Sequence, residues 1–143
     1  MHSVEQLIIE HDRMTALALD FCKIVKAARP DPNGATAIRA ELSVLLEEHF
    51  SKESNFSYST SMRRKNDVLD DAVESFEDEF DTLKRDWADY LAEWTMDVIA
   101  SDWGYFRQQT ILMMDRLTDR ISRENALLVP LILKHSRIRL RAA

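Results

Sequence analysis

The sequence predicts an all-α fold, an up-down-up-down four-helix bundle, on three observations. Two glycines and three prolines in 143 residues leave few places where a helix must stop. Four segments each carry one apolar stripe at helical spacing. The connections between them are short, which favours antiparallel neighbours. A β-rich fold would need many more turn residues than this chain has. The length suits a single domain over 1–143 with a real core.

The elements follow in order. The first helix, at roughly 3–28, has Val4, Leu7, Met14, Ala18, Phe21, Cys22 and Val25 on one face. The stretch Ala28–Thr36, with two prolines and a glycine, ends it. The second, at roughly 35–57, shows Ile38, Leu42, Leu45 and Phe56, with Leu46 beside them. The polar stretch Ser57–Asn66 is the next break. The third, at roughly 67–100, has the longest stripe: Leu69, Val73, Phe76, Phe80, Leu83, Trp87, Leu91, Trp94 and Val98. Its aromatics read as core, and its acidic start reads as a solvated helix N-terminus. Gly104 marks the last break. The fourth helix, at roughly 104–129, carries Phe106, Met113, Leu117, Ile121 and Leu128. Pro130 is expected to end or kink it at Val129, which leaves 130–143 as a short basic C-terminal extension.

Composition excludes several classes. A net charge of −6 gives no electrostatic reason to expect nucleic acid. The single Cys22 excludes an internal disulfide and a cysteine-built zinc site. No apolar run approaches the length of a membrane span, and the N-terminus lacks a signal-peptide core, so a cytoplasmic location is expected. No glycine-rich phosphate loop or nucleophile motif is present, so no enzyme activity is expected. A protein partner or a homo-oligomer stays open.

Polar residues interrupt the stripes at one level. His11 is in line with Leu7, Met14 and Ala18 on the first helix. His49 and Glu53 lie one turn apart near the end of the second. Arg120 and Glu124 have the same spacing near the end of the fourth. Antiparallel packing brings all five to one end of the core. Imidazole nitrogen with carboxylate oxygen suits iron, zinc or manganese. A guanidinium offers the other answer, because Arg120 can neutralise a buried carboxylate without metal. Both helical histidines face inward, which argues against a histidine phosphotransfer bundle.

At these residues the chain resembles the hemerythrin-like, or HHE cation-binding, family. The stretches are Ile8–Phe21 with its Glu10–His11 pair, Leu45–Ser54 with His49 and Glu53, and Leu117–Ile132 with Glu124. The resemblance implies a four-helix bundle, which in that family commonly holds a non-haem di-iron centre, although this chain is not expected to be a full di-iron oxygen carrier. Members of that family bind oxygen, sense oxygen or redox state, or handle iron. The metal positions His11, His49, Glu53 and Glu124 carry over. The fourth-helix histidine position is Arg120, and Val73, Phe76 and Phe80 stand where the third helix would supply histidine. Asp70 and Glu77 are the remaining candidates on that helix, at the right height but off its buried face. Only four histidines are present, with His2 and His135 near the termini. The resemblance therefore implies a reduced site for at most one ion, or a metal-free bundle in which Arg120 substitutes for the cation and the protein works as an interaction or signalling module.

Overall fold

The computed structural model describes residues 4–54 and 67–142, with side chains over 4–52 and 74–130. Every regular element among them is helical: α1 Val4–Lys26, α2 Pro32–Ser54, α3 Asp67–Glu93, α4 Met96–Ser101 and α5 Trp103–Ala142. The break expected at Ser57–Asn66 lies outside the described residues. None of the described helices is long and apolar enough to cross a membrane.

Helix α2 starts at Pro32, before Gly34, because the local chemistry favours it. Asp31 caps the helix: its Oδ1 accepts from the Gly34 N–H at 3.0 Å, and its carbonyl accepts from Ala35 at 2.9 Å. Pro32 then occupies the first helical position, where a missing N–H costs nothing. The stretch that stops α1 thus also starts α2.

The expected third helix is two helices. Thr95 adopts an extended conformation (φ −74°, ψ 164°) between α3 and α4. The new helix begins with the Ile99 N–H donating to the Thr95 carbonyl at 2.9 Å. This turn rotates the inward face by one residue. Ile99 is fully buried, whereas Val98, expected inside, is 38% exposed. Helix α4 packs against α2 and α5 and covers that end of the core. Asp102 then links α4 to α5: its N–H donates to Val98 and its carbonyl accepts from Phe106.

Pro130 does not end the last helix, which runs on to Ala142. The proline removes the hydrogen bond to the Ala126 carbonyl. Both residues are exposed, so water can serve the freed oxygen. The expected extension from 130 is therefore a continuation of α5.

Helix α1 packs along both α2 and α5. Its stripe buries Leu7, Met14, Ala18, Phe21 and Val25. From α2, Leu42 and Leu46 are fully buried, and Leu45 is half-buried against the same core. Contacts run in opposite order along α1 and α5. His11 meets Glu124 while Phe21 meets Phe106 ten residues further along α1. On α3, Phe80 meets Phe50 of α2, and Tyr90 lies beside Arg39. Helices α3 and α5 are bridged mainly by long side chains, Arg116 to Asp86 at 2.8 Å and Arg123 to Glu79. Aromatic rings from α3 (Trp87 and Tyr90), from the turn after it (Trp94) and from α5 (Phe106) fill the core away from the histidines.

Candidate metal centre

The inward polar residues come from three helices at one level. His11 on α1, His49 on α2, and Arg120 and Glu124 on α5 are all nearly inaccessible to solvent. Leu7 and Met14 flank His11 on its stripe, and Ile121 and Leu128 flank Glu124, so the apolar face that drives packing also carries these groups inward. His11 Nε2 lies 3.0 Å from His49 Nε2 and 2.9 Å from Glu124 Oε1. His49 Nε2 lies 3.8 Å from the same oxygen. The two imidazole rings meet edge to face, with centroids 4.7 Å apart.

The far side of each ring decides what these atoms can do. His49 Nδ1 is 2.9 Å from Glu10 Oε2, a carboxylate that only accepts, so the proton belongs on Nδ1. Lys52 holds the other Glu10 oxygen. His11 Nδ1 is 2.6 Å from Asn125 Oδ1, a carboxamide oxygen that also accepts. In that tautomer each Nε2 presents a lone pair toward the other ring and toward a carboxylate oxygen. Arg120 balances the carboxylate charge, but three electron-rich atoms this close still need a proton or a cation between them. A proton shared between an Nε2 and Glu124 would serve, and so would a metal ion. Three atoms at 2.9, 3.0 and 3.8 Å lie on a circle of radius about 1.9 Å, so one ion can meet all three at the ordinary bond length of about 2.0–2.1 Å.

Arg120 takes the other half of the carboxylate. Its Nε donates to Glu124 Oε2 at 2.5 Å, and its Nη1 donates to the Phe76 carbonyl at 2.6 Å. The guanidinium lies 3.5 Å over the Phe76 ring. Glu124 is thus divided, with Oε2 on the arginine and Oε1 on the histidines. Arg120 also forms part of the wall of an open groove of about 370 Å³ between α3 and α5, shared with Ser75, Thr82, Leu83 and Arg116.

The other candidates stand apart. Glu77 is half-buried on α3 and does not join the group of His11, His49 and Glu124. Glu53 and Asp70 lie in α2 and α3, but their side chains fall outside the described residues. Cys22 is half-buried against the core, where burial pushes its thiol above the ordinary value. The sequence does not assign Glu10, Lys52 or Asn125 to the site. Glu10 and Asn125 are direct neighbours of His11 and Glu124, and Lys52 is one turn from His49. Adjacent positions on a helix diverge by about 100°, so only the packing of a second helix shows what such a neighbour reaches. Burial works against the Glu10 carboxylate, but hydrogen bonds from Lys52 and His49 and the charge of Lys52 outweigh it and hold its pKa below the usual carboxylate range.

No family model matches the chain, and no curated protein or solved structure matches it either.

Proposed function

We propose that this chain is a hemerythrin-like, up-down-up-down bundle that carries a reduced, mononuclear non-haem metal site and works in metal, oxygen or redox sensing. One observation carries the reading. Glu10 and Asn125 are placed to accept from the Nδ1–H groups of His49 and His11, and both Nε2 atoms and Glu124 Oε1 are grouped within 3.8 Å. Outer partners of this kind are how proteins fix the tautomer and orientation of metal-binding histidines. The ligand set among the described side chains, two imidazoles and one carboxylate, suits ferrous iron, zinc or manganese, and Glu53, whose side chain lies outside the described residues, is the fourth candidate. Iron in such a set supplies a one-electron couple, the chemistry that redox or oxygen sensing requires. His11 and His49 bind, Glu124 binds and offsets charge, and Arg120 holds Glu124 so that a single oxygen faces the histidines. With Arg120 on the second oxygen, the site serves one ion rather than two.

A second reading rests on Arg120 itself. Its bond to Glu124 already neutralises the carboxylate, which favours a metal-free bundle acting as a protein-interaction or signalling module. Metal content separates the two. Untagged protein is reconstituted anaerobically with ferrous iron and desalted. About one iron per chain is expected, lost in His49→Ala. Two per chain would overturn the mononuclear assignment. A folded protein that retains none would overturn the metal reading in favour of the second.

A further inference from the structure

A second polar cluster lies in the aromatic part of the core, toward the end opposite the histidines. Tyr90 on α3 is its centre. Its hydroxyl is 2.6 Å from Thr110 Oγ1 of α5, and both residues are buried. The Trp87 ring stacks on Tyr90 at 5.3 Å, and the Arg39 guanidinium of α2 lies 5.7 Å from the Tyr90 ring centre.

The donors in this cluster exceed the acceptors. Arg39 is 9% exposed, and its Nη1 is buried with no acceptor among the described residues. Trp87 is 4% exposed, and its Nε1–H has none either. Of the two bonded hydroxyls, one donates to the other and the second still has a proton to give. No carboxylate of the described residues pairs with Arg39, and the charge cannot leave a guanidinium. Tyr90 does not supply the missing negative charge. Burial raises its pKa to about 12, against the smaller opposing effects of Thr110 and Arg39, so it stays protonated. Water can satisfy the indole N–H, but water does not neutralise a buried cation.

We propose that Arg39, Trp87, Tyr90 and Thr110 form a binding site for a small inorganic monoanion of halide size. The guanidinium provides the charge and, with the indole N–H and the spare hydroxyl proton, the hydrogen bonds. The site is independent of the histidine centre, and each can exist without the other.

The test uses the full chain freed of halide, with gluconate holding ionic strength constant. Chloride is titrated while thermal unfolding is followed, and bromide is titrated while tryptophan fluorescence is read. A saturable rise in Tm with chloride is expected, together with saturable quenching by bromide that chloride reverses. Arg39→Met is expected to raise the half-saturating chloride concentration about tenfold or more, the loss of one charged hydrogen-bond partner. Trp87→Phe, which keeps the charge and removes one donor, is expected to raise it by a smaller factor. If Arg39→Met does not fold, Arg39→Lys serves: it keeps the charge, loses the planar fork, and is expected to bind chloride more weakly. Stability and fluorescence that respond to ionic strength alone would overturn the proposal and assign the donors to water. An Arg39 variant that binds chloride as the parent does would also overturn it.

Discussion

Replacing Arg120 with methionine removes a charge while keeping most of the side-chain volume. Arg120 is 5% exposed and Glu124 is 2% exposed, so solvent screens the pair little. The substitution deletes the 2.5 Å bond to Glu124 Oε2 and the 2.6 Å bond to the Phe76 carbonyl. It leaves a carboxylate without its cation in a dry core. Stranding one partner of a buried pair costs about 3–5 kcal/mol. For a domain of this size each kcal/mol moves Tm by roughly 3–5 °C, so a fall of about 10–20 °C is expected. Thermal unfolding by circular dichroism in chelator measures it. The double variant Arg120→Met with Glu124→Gln removes the stranded charge and is expected to recover part of the loss, a coupling of about 0.5–3 kcal/mol. A metal ion on Oε1 also compensates the carboxylate, so zinc is expected to stabilise Arg120→Met more than the parent. An Arg120→Met protein that unfolds within about 2 °C of the parent would refute the reasoning, since that is less than the effect of 1 kcal/mol.

Two further predictions test other parts of the structure. Glu10 has a folded pKa below its ordinary value of 4.5, so its contribution to stability is present above that value and is lost as pH falls through the folded one. Glu10→Gln is expected to flatten the acid limb of a stability–pH profile below about pH 4.5, with a loss near neutrality of about 1 kcal/mol, because the carboxylate is partly exposed. A profile parallel to the parent's down to acid unfolding would contradict this. The rotation at Thr95 predicts opposite outcomes at adjacent positions. Ile99→Ala is expected to cost about 2–5 kcal/mol and Val98→Ala within about 0.5 kcal/mol, read from denaturant midpoints. The reverse order would mean that α3 continues through Thr95.

Much of this architecture is legible in the sequence because it depends on local rules. Apolar stripes at helical spacing mark the core faces of α1 and α5. The same periodicity shows that His11, His49, Arg120 and Glu124 interrupt those faces. Any residue in phase with Leu7, Leu42 or Leu117 is carried inward with its neighbours, whatever its polarity. Counting turns then places the four at one level, provided that adjacent helices run in opposite directions.

Tertiary structure decides what periodicity cannot express. An unbroken stripe puts Val98 inside, but the chain must turn to let α4 cover the end of the core, and that turn buries Ile99 instead. Proline rules end or kink the last helix at Val129, but on an exposed face the freed carbonyl can be solvated and the helix continues. Sequence periodicity gives Glu10, Lys52 and Asn125 no place among the inward polar residues. Only the packing of α2 and α5 against α1 sets them on the outer nitrogens of the histidines or, for Lys52, on Glu10. The division of Glu124 between Arg120 and two imidazoles follows from the same packing. Sequence spacing places groups along a helix, whereas distances between helices determine which lone pairs face one another and which protons they hold.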